Sequence, residues 1–178
     1  MGNFDVDEFL WTPEGASPLL LQLGTVYAGY DQISILSMVF GTSNRSQPIS
    51  ANETVIEAFT WRAALPDSES APYYGARFGH KTLYRPHRMW WVDVHDAQCG
   101  LRAACRMARI APLAPNLRMN HYQFKSRAEQ HAKAIANGNP YIEFDAPRDA
   151  LLNAVQDRST AYIVRELRSR LYKNEADV

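Results

Sequence analysis

The stretch Phe4-Asp5-Val6-Asp7-Glu8-Phe9-Leu10-Trp11 sets apolar residues beside acidic ones at near period-two spacing and runs into Thr12-Pro13-Glu14-Gly15. That pattern predicts a short strand ending in a turn. Residues i and i+2 of a strand share a face, so Asp5 and Asp7 point the same way. At a strand end both can reach one hard cation, and Mg²⁺ or Mn²⁺ bound there keeps positions open for a substrate phosphate. The competing reading is a solvated acidic turn, because an isolated Asp-x-Asp recurs by chance. A strand that carries a site normally has more chain upstream, so the stretch reads as cut close to its site.

Working outward, the apolar run 33–40 predicts a buried strand that stops at Gly41-Thr42-Ser43-Asn44. Residues 54–62 fit a strand or a short helix, with the β-branched residues favouring the strand. The Pro-, Gly- and Ser-rich stretch 65–80 predicts a long surface loop, followed by strands over 81–85 and 89–94 separated at Pro86. A short helix is expected over 97–108, then a Pro-punctuated connector over 111–115. Ser126-Arg127-Ala128-Glu129 is a capping box that starts a helix running to Asn137 and stopping at Gly138. A last helix is expected over 149–172, from the spacing of Leu152, Val155, Ile163, Leu167 and Leu171. The expectation is one domain of mixed α and β content.

Composition narrows the function. The 178 residues carry 19 basic and 19 acidic side chains, which argues against a chain built to grip nucleic-acid backbone. With 46% hydrophobic and 21% charged residues, the chain is not a disordered polar one. No apolar run is long enough to span a membrane, and no signal-peptide pattern is present, so the chain is expected to be soluble on its own. Cys99 and Cys105 do not have zinc-ligand spacing; one bridge is possible, and free structural thiols are the expected state.

Further candidates are more local. His121 lies in Asn120-His121-Tyr122, with Lys125-Ser126 behind it at a helix start. A neutral imidazole can complete a metal shell, and the lysine and helix start both favour phosphate; a structural histidine is the alternative. His95, in Asp93-Val94-His95-Asp96, is either a ligand or part of a polar strand end. His131 is expected on the surface of the capped helix. Trp90-Trp91 could stack on a sugar ring, but paired Trp in a strand are expected in the core.

Together these pieces resemble glycosyltransferase family 92, whose catalytic domain has a GT-A fold. Phe4-Asp5-Val6-Asp7-Glu8-Phe9 is similar to its "FDxDEF". Met38-Val39-Phe40-Gly41-Thr42-Ser43-Asn44 is similar to an apolar strand running into "FGSSGH", and Val55-Ile56-Glu57-Ala58-Phe59-Thr60 to "ViErFt". Gly79-His80-Lys81-Thr82-Leu83-Tyr84-Arg85-Pro86 is similar to "GKxIvrP" with one inserted residue. His121-Tyr122-Gln123-Phe124-Lys125-Ser126, with Glu129, Lys133 and Gly138, is similar to "HYxxKSxEEFxxKxxxG". The collinear likeness covers about residues 3–140, which makes 1–140 the expected catalytic region and 141–178 a helical extension packed on it.

The resemblance implies an α/β fold: a partial GT-A-type mixed sheet with flanking helices, lacking the N-terminal nucleotide-binding βα units. It implies an inverting, metal-dependent transfer of a hexose, often galactose, from a UDP-sugar to a glycan acceptor. Asp5 and Asp7 would bind the donor diphosphate and Mn²⁺ (or Mg²⁺). His121, or else His95, would complete the metal set, and Lys125 would sit near phosphate. Glu57 would be the base, unless it pairs with Arg62 or Arg85. Ser43-Asn44-Arg45 departs from the family's "SGH", so different acceptor contacts are expected there. Full-length relatives are membrane-anchored, Golgi-type enzymes, and the expected partners are the nucleotide sugar, the acceptor and a missing N-terminal half. A non-catalytic glycan- or partner-binding domain, or a metal-dependent hydrolase, would use the same features differently.

Overall fold

In a computed structural model of the chain, residues 1–65, 79–100, 104–138 and 145–175 are described. Most of the loop expected over 65–80 lies outside them. The chain packs as two units, Met1–Val39 with Pro66–His121, and Phe40–Leu65 with Tyr122–Val178.

The first unit is built on β2 (Gln32–Val39), the apolar run read as a buried strand. On one side it pairs antiparallel with β4 (His80–Tyr84), with Ile35 opposite Lys81. On the other side two strands share its length, both parallel to it. β7 (Met107–Ile110) takes Gln32 to Ile35, and β8 (Arg118–His121) takes Ser37 to Val39. β1 (Glu8–Trp11) closes the order antiparallel to β8, with Glu8 opposite His121. The result is a five-stranded mixed sheet, and the chain as a whole is mixed α/β.

Register partners point to the same face. One face therefore carries Ile33, Ile35 and Ile110 towards one end. They form the core with Leu117 and Met119, and Leu19 and Leu23 of α1 (Leu19–Gly24) pack against it. At the other end the same face carries Ser37, Lys81, His121 and Glu8. A small hairpin of β5 (Met89–Val92) and β6 (Ala97–Cys99) completes the strands of this unit among the described residues.

The second unit is mostly helical: α2 (Val55–Ala58), α3 (Arg127–Ala136), α4 (Ala146–Leu152) and α5 (Ala161–Glu175). Two-residue strands β3 (Trp61–Arg62) and β9 (Val155–Gln156) pair antiparallel. The loop after β2 is tied to α4: Thr42 donates from its backbone N–H and its hydroxyl to the buried Asp149 carboxylate, at 3.1 and 2.8 Å. Gly41 admits that contact, since a Cβ there would lie 2.5 Å from Asn153 Oδ1 and 2.9 Å from the Leu152 carbonyl.

Several expectations need correcting. Of the two readings left open for residues 54–62, the short helix holds for Val55–Ala58, where Thr54 and Glu57 form a capping box that starts α2, and only Trp61–Arg62 is strand. Ala97–Cys99 and Met107–Ile110 are strands rather than one helix, because β5 and β2 offer them open edges; residues 101–103 lie outside the described residues. Cys99 and Cys105 are a disulfide pair, not free thiols, their Cα atoms 6.0 Å apart. The expected last helix is two, broken where β9 pairs with β3 and Asp157 binds Arg62. Trp90 and Trp91 are not core: they are 63% and 40% exposed. No helix among the described residues is long and apolar enough to cross a membrane.

Candidate functional site

Met1 and Gly2 pair with Tyr84 and Leu83 at the outer edge of β4, and the chain then crosses to β1. It arrives through a tight turn in which the Glu8 N–H donates to the Asp5 carbonyl at 3.0 Å. The Asp5 N–H donates to Glu8 Oε2 at 2.9 Å. This turn sets Asp5, Asp7 and Glu8 beside the polar end of the sheet face, next to Lys81 from β4 and His121 from β8.

Lys81 is the centre of the cluster. Its side chain is 1% exposed, and its Nζ lies 3.1 Å from Asp5 Oδ2 and 3.3 Å from Glu8 Oε2. Glu8 is equally buried at 2%, whereas Asp5 is 57% exposed. The bond from Lys81 holds the Asp5 carboxyl below the usual carboxylate range. His121 stands between two carboxylates, with Nε2 3.6 Å from Asp7 Oδ1 and Nδ1 3.7 Å from Glu8 Oε1. Burial pushes its pKa down, and the charges of Glu8, Asp7 and Asp5 only partly oppose this. With the imidazole neutral, three carboxylates face one ammonium, a surplus of two negative charges in a largely sheltered place.

That surplus and the hard oxygen donors match a divalent cation in charge and chemistry. Placement matches only in part. Adjacent donors on an octahedral ion lie about 3 Å apart, so Asp7 and His121 are near ligating distance of each other. Asp5 is turned to Lys81. Among the described residues no group of three or more His, Cys, Asp or Glu is placed to hold a metal ion. One further polar atom belongs here: Ser37 Oγ is buried without a hydrogen-bond partner, and a Cβ on Gly79 would lie 3.1 Å from it and 3.8 Å from His121 Nδ1.

The structure thus brings together Asp5, Asp7 and His121 and adds Glu8 and Lys81, to which the sequence reading gave no role. Lys81 was detectable: in His80-Lys81-Thr82-Leu83 it shares a strand face with Leu83, which packs against the core. His95 is exposed, its Nδ1 3.0 Å from the His80 carbonyl oxygen. His131 is exposed on α3, as expected.

Lys125 and Glu57 belong to the second unit. Lys125 has a positive φ of 37° just before the α3 cap, a strained backbone for a residue with a Cβ. Glu57 Oε2 accepts from the Thr54 N–H at 3.0 Å, the Thr54 hydroxyl at 2.9 Å and Arg168 Nη2 at 2.9 Å. These contacts, the Thr54 N–H foremost, hold Glu57 below the usual carboxylate range, which suits a cap better than a base. Its arginine partner is Arg168, neither Arg62, which binds Asp157 at 2.6 Å, nor Arg85, which donates to the Tyr30 and Ala28 carbonyls.

No protein-family model matches the chain, and no curated protein matches it.

Proposed function

We propose that the chain is the metal- and acceptor-side part of a glycosyltransferase similar to family 92, with a partial GT-A-type sheet, transferring a hexose from a UDP-sugar to a glycan. One observation carries this reading. Three stretches that bear the resemblance, around Asp7, Lys81 and His121, lie far apart in sequence yet meet in one cluster on the sheet face. The cluster also forms at the carboxyl ends of the parallel strands β2 and β8, where open α/β sheets bind their ligands.

Asp7 and His121 would hold Mn²⁺ or Mg²⁺, with Asp5 at the rim where the cation and the donor diphosphate meet. A bound cation supplies charge neutralisation for the departing diphosphate. Lys81 fixes the carboxylates: its ammonium holds Glu8 and Asp5 in position, so the turn is shaped before any ligand arrives. Burial keeps His121 neutral and able to donate a lone pair at neutral pH. Lys125 belongs to the second unit and is given no role in this cluster. Glu57, engaged by Thr54 and Arg168, is given no proton-transfer role.

Calorimetric titration of UDP, with and without Mn²⁺, on the wild type and Asp7→Asn tests the reading. Mn²⁺-dependent binding that disappears in Asp7→Asn, with the melting temperature kept, is expected. Binding that ignores both Mn²⁺ and the substitution overturns it. The exposure of Trp90 and Trp91 favours one alternative, a glycan-binding domain without turnover. It would show glycan binding without transfer when donor and Mn²⁺ are supplied.

A further inference from the structure

The second unit contains a cleft of about 410 Å³ between α2 and α5, lined by Ile56, Glu57, Thr60, Arg158, Ala161, Val164, Arg165 and Arg168. Its α5 wall is the stripe 161, 164, 165 and 168, spaced i, i+3, i+4, i+7. On a helix packed against a core this stripe is ordinarily apolar. Here only Val164 is a buried apolar residue, and Ala161 is too small to fill the space it faces. Two arginines occupy the rest of the stripe, and Arg158 joins them from the turn before the helix.

The arginines differ in state. Arg168 is fixed, donating to Glu57 Oε2 at 2.9 Å and to the Asn52 carbonyl at 3.2 Å. Arg158 and Arg165 have no ion pair or side-chain hydrogen bond to any described residue. Three guanidiniums against the single carboxylate of Glu57 leave a surplus of two positive charges over a floor of Ile56 and Val164. A guanidinium presents a planar fork that matches phosphate oxygens, and a phosphate monoester carries close to two negative charges at neutral pH. The volume is that of a small-molecule site, for which the common range starts at about 300 Å³.

We propose that this cleft binds a small phosphate monoester. The phosphate lies between Arg158 and Arg165, and the organic body lies on Ile56 and Val164. Arg168, held by Glu57, forms the rigid side of the cleft. This site uses none of the carboxylate cluster and needs no divalent cation, so it stands or falls apart from the glycosyltransferase reading.

The test is calorimetric titration of the full chain with phenyl phosphate in the presence of EDTA, with benzoate as the carboxylate analogue. Wild type is expected to bind phenyl phosphate at least about tenfold more tightly than benzoate. The double variant Arg158→Ala/Arg165→Ala should lose at least about tenfold in affinity, as losing charge-assisted hydrogen bonds implies. Its melting temperature should be unchanged, because neither side chain holds another described residue. Lys133→Ala, exposed on α3, and Asp7→Asn should bind as the wild type does. Four results would each overturn the proposal: no binding by the wild type, a double variant within about twofold of it, an equal loss in Lys133→Ala, or equal affinity for benzoate. Binding that appears only with Mn²⁺ and vanishes in Asp7→Asn would overturn it as well, while supporting the other site.

Discussion

At the scale of single residues, Lys81 decides whether the cluster exists. Lysine is rarely buried, and it stays buried here because two carboxylates meet it. Lys81→Met removes the cation and leaves Glu8 as an unpaired interior charge. Loss of one partner of a buried pair costs about 3–5 kcal/mol, and urea denaturation should show a loss of that order. His121 gives the pH dependence. Its native pKa lies below the ordinary value of about 6.5, so the unfolded chain takes up the proton first as pH falls. The stabilising contribution is whole above about pH 6.5 and drains away as pH drops towards the lowered native value. Wild type should therefore lose more stability than His121→Asn between about pH 7.5 and about pH 5.5. An equal loss in both would place the pH dependence elsewhere. Asp7 and His121 were legible as a pair because each sits in a recognisable local motif. Glu8 was not, and Lys81 only through the strand face it shares with Leu83, because burial of a charge depends on which strands become neighbours, and short-range spacing does not encode that.

At the scale of elements, local rules succeeded where a cap or a long apolar run spoke for itself. β2 and α3 form where read, and α3 has its reciprocal cap: the Ser126 hydroxyl accepts from the Glu129 N–H while the Glu129 carboxylate takes the Ser126 N–H. Ser126→Ala should cost about 1 kcal/mol by thermal denaturation, the usual value of an N-cap. The same motif opens α2 at Thr54 and Glu57, and there the β-branched run hid it. A cap satisfies donors that would otherwise be orphaned, so it outweighs the small strand preference of Val55 and Ile56. The helix expected over 97–108 failed for the opposite reason. Its Ala content favours a helix only weakly, and open strand edges on β5 and β2 supply more.

At the scale of the whole molecule, each unit is assembled from two separated stretches of chain. In the second unit, α4 relies on Thr42 to satisfy the buried Asp149, β9 relies on β3, and Asp157 relies on Arg62. All three partners come from Phe40–Leu65, and no pattern within 122–178 announces that dependence. A fragment of residues 122–178 should therefore show a largely unfolded circular-dichroism spectrum; a native-like helical spectrum from it would contradict this account.

The register of β2 has a consequence for how the chain reaches its native state. Its partners start at residues 80, 107 and 118, and the site closes only when Glu8 finds His121. Each pairing must close a long loop before any contact rewards it, and two of the three neighbours are parallel to β2. The cluster of Lys81, Glu8 and His121 is thus assembled late, and folding belongs to the slow regime of milliseconds to seconds rather than the microseconds of helical bundles. Until then the most apolar strand of the molecule waits with open edges, and the time the ribosome and chaperones give it matters as much as the stability it finally attains.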